Sequence, residues 1–336
     1  MKRILITGAS GFIGNYLVQE ALNRDYEVWA SVRASSSREN LSDPRIHLIE
    51  LDFNHPKQIV KQVESFSKQY GCWNYVIHNA GITKALNSSR FLEVNGLATQ
   101  GFINVLQNTG CVPERFVLMS SLSSFGPGDE KEFAPIHNNM PQQPNTEYGK
   151  SKLYAENTLR NSARFPYTIL RPTGVYGPGD KDYLLEIKSI RSGFDFTVGM
   201  NQQHLTFIYV KDLARVALDV LATDKTQNKE YFVADGDKYT DTQFAEIIKE
   251  ILHKKLLLSV RIPIWAVSAV CAGSEAIGQL IEKPMTLNSD KLQILKQRNW
   301  LCDTKPLQED IQFKAVYPLR KGLEETIEWY KEHKWL

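Results

Sequence analysis

Thr7-Gly8-Ala9-Ser10-Gly11-Phe12-Ile13-Gly14 follows directly on the apolar run Ile4-Leu5-Ile6. Lys2 to Thr7 reads as a short buried strand. Phe12 to Asn23 reads as a helix with Phe12, Ile13, Leu17, Val18, Ala21 and Leu22 on one side. Gly8 permits a tight exit from the strand, Gly11 lets the backbone approach a phosphate, and Gly14 lets the helix pack close to the strand. The free N–H groups and positive dipole end of the helix then face a pyrophosphate. A glycine triplet with a strand before it and a helix after it is a dinucleotide-binding turn, where a lone triplet would be only a glycine-rich loop. Thr7, Gly8, Ser10, Gly11, Phe12, Ile13 and Gly14 are its expected cofactor contacts.

The next strand is expected over Glu27 to Val32. An enzyme using NAD(H) usually ends this strand with an Asp or Glu that binds the ribose hydroxyls. Here Val32 and Arg33 occupy the tip, followed by Ala34-Ser35-Ser36-Ser37-Arg38. A guanidinium suits a 2′-phosphate dianion through two charge-assisted hydrogen bonds, whereas an acid would repel it. Arg33 therefore favours NADP(H), with NAD(H) as the alternative cofactor. The plain competing reading of Arg33 is a solvated surface arginine.

Tyr148-Gly149-Lys150-Ser151-Lys152 opens a helix read as Tyr148 to Arg160, with Asn145 or Thr146 as its cap. Residues four apart share a helix face, so Tyr148 and Lys152 point the same way. An unperturbed phenol titrates near pH ~10, and a nearby ammonium favours the phenolate. Tyr148 can then exchange a proton with a substrate oxygen while hydride moves at the adjacent carbon. Tyrosine and lysine at this spacing also fall by chance on surface helices. A second feature supports the pair: the strand Glu114 to Met119 ends in Ser120-Ser121-Leu122-Ser123-Ser124-Phe125-Gly126. Active groups of doubly wound sheets sit at such strand ends. A serine hydroxyl there stabilises developing alkoxide charge, though at least two of the four serines are expected to serve only the turn.

These segments resemble the extended short-chain dehydrogenases/reductases, the group that contains nucleotide-sugar epimerases and dehydratases. Thr7 to Gly14 matches the dinucleotide loop, and His78-Asn79-Ala80-Gly81 matches the segment along the cofactor. Asn95 matches an active-site asparagine. Ser121, Tyr148 and Lys152 match the catalytic triad. Leu170 to Gly179 and Phe207 to Leu213 match two further family segments. The resemblance implies that Ser121 polarises the substrate oxygen, Tyr148 is the acid/base, and Lys152 holds the nicotinamide ribose and tunes Tyr148. It implies that Asp52, with Phe53 beside it, receives the adenine. Asn79, Ala80, Gly81, Pro172, Thr173 and Val175 would line the cofactor. Thr83, Ser123, Gly174 and His204 are the candidate substrate contacts.

Departures from the family pattern narrow the chemistry. The dehydratases place an Asp-Glu pair directly after the catalytic hydroxyl, but this chain has Leu122 and Ser123. Many epimerases grip the sugar-nucleotide diphosphate with an arginine where this chain has Leu205, leaving Arg191 or Arg215 as substitutes. Val28-Trp29-Ala30-Ser31-Val32-Arg33 is similar to the dihydroflavonol reductase and hydroxysteroid dehydrogenase branch. The expectation is an NADP(H)-dependent oxidoreductase interconverting a ketone and a secondary alcohol. One rival is a nucleotide-sugar epimerase with tightly held NAD. The other is a non-catalytic NADP(H)-binding redox sensor, for which the triad would be superfluous.

Alternating strands and helices predict a Rossmann-type, doubly wound α/β sheet with a smaller, mainly helical lobe. The cofactor domain is expected over 1–176, rejoined by 206–235 and 317–336. The substrate-binding lobe takes 177–205 and 236–316. With 40 basic and 38 acidic residues the net charge is +2, giving no electrostatic case for nucleic acid. Cys72, Cys111, Cys271 and Cys302 lack metal or redox spacing. No histidine has metal-ligand spacing, so no metal is expected. His78 is expected to pack, hydrogen-bonded, beside the cofactor. A cytoplasmic enzyme is expected, because the first strand leaves no room for a signal peptide. A small-molecule substrate is expected, and the family resemblance implies a homodimer through helices near Ala98 and Tyr154. Ile262 to Ile281 is the most apolar stretch, but Glu275 and Gln279 interrupt it, so no integral membrane span is expected. It reads as a buried lobe helix opened by Pro263, with a lipid-facing or hydrophobic-substrate role as the alternative. Trp265 and Trp300 are candidates to wall an apolar pocket. Leu323 to Tyr330 reads as an amphipathic surface helix.

Overall fold

The computed structural model describes residues 1–53, 55–283, 285 and 287–336. Seven parallel strands form the central sheet. From one edge to the other they are Lys229–Val233, Tyr167–Pro172, Arg115–Met119, Tyr75–His78, Arg3–Thr7, Glu27–Val32 and Ile46–Glu50. The strand order reverses beside Arg3–Thr7, so its carboxyl end is a topological switch point, where α/β sheets bind ligands. The Rossmann-type sheet expected from the alternating pattern is present.

Side chains alternate across the sheet, and both faces are covered. Ile4 and Ile6 join Leu17, Val18 and Val28 in one core layer. Leu5 joins Trp29, Val76, Phe102, Phe116 and Leu159 in the other. The helices Phe12–Asn23 and Val210–Asp219 close the first face. Pro56–Tyr70, Ala98–Asn108 and Glu147–Ser162 close the second.

Segments distant in the chain return to this frame. Lys229–Val233 pairs with Tyr167–Pro172, and Phe207–Tyr209 pairs with Gly174–Tyr176. The C-terminal helix Leu319–Glu332 buries Leu323, Ile327 and Tyr330, as its amphipathic pattern predicts. Tyr330 Oη donates to the Asp180 carbonyl at 2.7 Å.

The lobe holds short strand pairs of its own. Leu258–Ile262 pairs in parallel with Phe194–Val198, and His204–Leu205 pairs with Tyr239–Thr240. The largest correction concerns the apolar stretch. Pro263 does open a helix, Ile264–Leu280, but only Val267, Cys271 and Gly278 of it are buried. Trp265 is 76% exposed. Trp300 is partly buried against the Leu122, Phe125 and Phe232 cluster. None of the helices among the described residues is long and apolar enough to cross a membrane.

Candidate active site

The glycine turn sits at the switch point as its spacing requires. Gly8 has φ +66°, and a Cβ there would lie 2.9 Å from the Ala80 backbone. A Cβ on Gly14 would lie 2.0 Å from the Gly8 carbonyl oxygen, so the helix can approach the strand only with glycine. Gly11 differs, because a Cβ there would meet only the Gly8 oxygen, at 3.3 Å. Gly11 is also the helix N-cap, with no side-chain cap and no acid in the first turn. The first helical N–H groups are therefore left to an anion, and the residues present fit a dinucleotide pyrophosphate.

Thr7, expected as a cofactor contact, is fully buried and acts through the backbone it holds. Its Oγ1 accepts from the Asn79 and Ala80 N–H groups at 3.1 and 3.0 Å, so its own proton goes to His78 Nδ1 at 3.0 Å. His78 Nε2–H then donates to Thr99 Oγ1 at 3.0 Å, and Thr99 donates to the Asn95 carbonyl at 2.7 Å. Burial, aided by the nearby Lys152 charge, pushes the His78 pKa down to about 3, so the ring is neutral in this chain of bonds. Every partner's role is thereby assigned, and the turn is locked to the segment that precedes the helix Ala98–Asn108.

Asn95 lies in a π-helical turn, Leu92–Leu97, and is 2% exposed. Its Oδ1 accepts from Ile82 N–H at 2.8 Å. Its Nδ2 donates to the Ile82 carbonyl and to Ser151 Oγ, both at 3.0 Å. The amide thus positions the loop after Gly81 against the Tyr148 helix.

Thr146 caps that helix, Glu147–Ser162, accepting from Gly149 N–H at 2.9 Å. Tyr148 and Lys152 share one face, with the Lys152 ammonium 5.9 Å from the Tyr148 ring centre. Lys152 is 7% exposed, and its Nζ donates to the Met119 carbonyl at 2.9 Å. Ser121 is the next residue but one, with its hydroxyl near enough to Tyr148 to favour the phenolate. It also accepts from Ser123 N–H at 3.2 Å. The fold thus brings Ser121, Tyr148 and Lys152 together from two elements.

Their electrostatics differ from the expectation. Burial pushes Tyr148 up to about 12, with the Ser121 hydroxyl lowering it in part and Asp182 raising it. Burial pushes Lys152 down to about 8, against the pull of Glu156. The protein alone does not depress the phenol, because Lys152 is itself desolvated and turned toward Met119.

Glu156 and Arg171 are the residues that the sequence reading missed. Both are fully buried. Glu156 accepts from Ser120 Oγ and from Arg171 Nε at 3.0 Å, and on its other oxygen from Gln142, Arg160 and Arg171. Arg171 continues to Glu230 and to Asn138, and its guanidinium lies 4.8 Å from the Phe125 ring centre. This network fastens the Tyr148 helix to the strand ends carrying Ser121 and Pro172. Tyr148, Lys152, Glu156 and Arg160 recur every fourth residue, a signal that was readable. Asp290, from the lobe, was not readable. Its carboxylate accepts the Glu147 and Tyr148 N–H groups at 2.8 and 3.0 Å.

The remaining candidates fall in several environments. Arg33 is exposed and makes no ion pair among the described residues; its backbone holds Ser36 in a turn. Asp52 has a carboxylate oxygen 2.6 Å from His55 Nδ1. Phe53 packs edge-on against His78 and Phe102. Thr173 N–H donates to the Val233 carbonyl at 3.2 Å, while Pro172 is buried and Val175 packs on the core. Ser10 and Phe12 lie partly open at the turn, and Ile13 packs on the core. Thr83 is exposed, and Ser123 half-buried. A Cβ on Gly174 would sit 2.2 Å from Tyr183 Oη, so that phenol packs directly over the Gly174 backbone. His204 packs against Phe133 with ring centres 4.3 Å apart. Arg215 is paired with buried Asp212 at 2.5 Å and is spent as an anion clamp. Arg191 ends an exposed helix turn.

A doubly wound parallel sheet, a glycine turn fitted to a pyrophosphate and a convergent Ser-Tyr-Lys set define an NAD(P)-dependent enzyme of the extended short-chain type. The chain belongs to the NAD-dependent epimerase/dehydratase family, whose model matches residues 4–234. It is 24% identical over 336 residues to a ceramide reductase of Caulobacter vibrioides, covering 99% of this chain and 96% of that protein. It is 26% identical over 274 residues to a UDP-glucose 4-epimerase of Vibrio cholerae, covering 79% of this chain and 80% of the epimerase. Its fold is similar to the Bordetella bronchiseptica enzyme WbmG in complex with NAD and UDP. That TM-score is 0.76 at 18% identity, covering 98% of this chain and 95% of the other.

Proposed function

We propose that this enzyme is an NADP(H)-dependent oxidoreductase that interconverts a ketone and a secondary alcohol. A nicotinamide dinucleotide bound at the glycine turn supplies or accepts the hydride. Ser121 donates a hydrogen bond to the substrate oxygen and stabilises the charge that develops there. Tyr148 passes the proton to or from that oxygen. Lys152, held by the Met119 carbonyl, adds positive charge beside the reacting phenol. Leu122 and Ser123, where dehydratases carry acids, offer no group for eliminating water. Leu205 packs among apolar neighbours, and Arg215 is occupied by Asp212, so neither supports a sugar-diphosphate clamp.

The observation that carries the cofactor preference is Arg33, exposed and without an ion pair among the described residues, at a strand tip that has no acid. Paired titrations with NADPH and NADH, followed by nicotinamide fluorescence, test it. NADPH should bind more tightly. Arg33→Ala should weaken NADPH roughly 10- to 100-fold, the value of charge-assisted bonds to a phosphate, and leave NADH unchanged. Equal affinities in the wild type, or NAD already held in the purified protein, would reject the reading and favour the epimerase.

A further inference from the structure

We infer that the substrate lobe carries a docking face for an anionic lipid bilayer, built from the helix Ile264–Leu280 and the adjoining ribbon. The inference is independent of which carbonyl compound the active site takes. Val267, Cys271 and Gly278 turn one side of the helix inward. Every exposed residue from Trp265 to Leu280, apart from Gln279, is apolar or glycine. Gln279 is engaged, donating to the Leu86 carbonyl at 3.2 Å. Glu275, the acid of this helix, accepts from Ser289 N–H at 2.7 Å on the flank. The outward face therefore carries no charge, and Leu280 is 84% exposed.

The patch extends beyond the helix. Phe194 lies opposite Leu258 and Phe196 opposite Val260 in the parallel ribbon. Residues opposite each other project from the same face, and Phe194, Phe196 and Leu258 are all exposed. The two phenylalanine rings stack with centres 5.9 Å apart. Gly199 N–H donates to the Ile262 carbonyl at 2.8 Å, and the helix begins two residues after Ile262. This junction carries exposed Met200 and Trp265, so the ribbon and the helix form one apolar surface. Contiguous apolar areas of this extent mark contact with a partner or a membrane.

Charge and length select the bilayer. Arg191 precedes one strand of the ribbon, and Lys254, Lys255 and exposed Leu256 precede the other, where Leu258 N–H donates to the Gly193 carbonyl at 2.9 Å. Lys283 follows the far end of the helix. None of these four cations has an ion pair among the described residues; Glu282 is the exposed acid that interrupts them. Cations at the margin of an apolar face meet lipid phosphates while the face enters the acyl boundary, and tryptophan favours that interface. The helix has 17 residues, short of the ~20 needed to cross the hydrocarbon core. It is suited to lie along the surface. The same helix is linked to the Tyr148 helix through the chain segment that follows it. Glu275 holds Ser289, and the neighbouring Asp290 caps the Tyr148 helix.

Sedimentation of the full chain tests the proposal, with vesicles of phosphatidylcholine alone and mixed with phosphatidylglycerol. The chain should partition onto the mixed vesicles and far less onto the neutral ones. Trp265→Glu and Leu280→Glu should each cut partitioning at least ~10-fold. Lys254→Ala and Lys255→Ala should each cut it roughly fivefold, as expected for one phosphate-facing charge. All four positions are solvent-facing or partly so, and unchanged nicotinamide-cofactor binding verifies each variant's fold. No partitioning onto mixed vesicles would overturn the proposal. So would partitioning that all four variants retain. A dimer in solution that Trp265→Glu converts to monomer, with no vesicle binding, would instead assign the face to a second copy of the chain.

Discussion

In the strand Arg3–Thr7, the apolar residues Ile4, Leu5 and Ile6 are wholly buried; in the helix Ile264–Leu280, Ile264, Trp265, Val270, Ile277 and Leu280 all face outward. The two segments are among the most apolar in the chain, yet the protein uses them in opposite ways. The strand has neighbours on both sides and helices over both faces. The helix has the lobe beneath it and nothing among the described residues above it. Apolar character predicts removal from water, not which partner removes it. Polar groups do not divide so simply, because Trp73 Nε1 and Arg115 Nε of the sheet half are also buried without a hydrogen bond among the described residues. In the sheet half, buried Thr7, His78, Glu156 and Arg171 are tied into connected networks. In the lobe, buried Asp241 leaves Oδ2 without a hydrogen bond among the described residues, with Arg261 3.5 Å away.

The largest effect expected from breaking this contrast lies at the active site. Tyr148→Phe should lower turnover ~10²- to 10⁴-fold while nicotinamide fluorescence titration shows cofactor affinity nearly unchanged. Wild-type-like turnover would remove Tyr148 from the chemistry. Next is Glu156→Leu, which leaves Arg171 and Arg160 facing a buried gap in charge. It should cost about 3–5 kcal/mol in urea unfolding, and a change under ~1 kcal/mol would show that the network is not holding the helix.

Packing variants compare the two apolar segments directly. Ile6→Ala should cost about 2–5 kcal/mol, because the sheet core cannot refill the cavity. Val270→Ala should stay within about 0.5 kcal/mol in the absence of lipid. Similar losses at both sites, measured by the same denaturant titration, would erase the contrast.

The smallest effect is a slope. Lys152 gives up its proton near pH 8 in the folded chain and near 10.5 when unfolded. Between those values the unfolded chain binds more protons, so stability should rise with pH across this window. Lys152→Met removes the titrating group. Its stability relative to wild type should therefore be most favourable below pH 8 and decline toward pH 10.5. A difference that is flat with pH would show that Lys152 is not desolvated.

The glycine turn, the strands around it and the shared face of Tyr148 and Lys152 were legible because each depends on local spacing. A strand repeats every second residue, a helix face every third or fourth, and a glycine turn needs its own few residues. Glu156 lay on the same readable ladder as Lys152, but its role required Arg171, Gln142 and Ser120 to arrive from elsewhere. The partners of Asn95 were not legible either, because nothing near it in the chain announces Ile82 and Ser151.

By itself, the sequence determined the family, the parallel α/β sheet, the glycine turn and the shared helix face of Tyr148 and Lys152. Only the tertiary structure decided what those residues face. It set Asp290 of the lobe on the Tyr148 helix. It put the Cys72 and Cys111 side chains in contact, where burial first and the neighbouring thiol second push the Cys111 pKa up. It raised the pKa of Tyr148 where a depressed one was expected, and it turned the most apolar helix outward. Desolvation and pairing depend on every atom that packs around a group, including atoms contributed from far along the chain. Periodicity records only a residue's near neighbours.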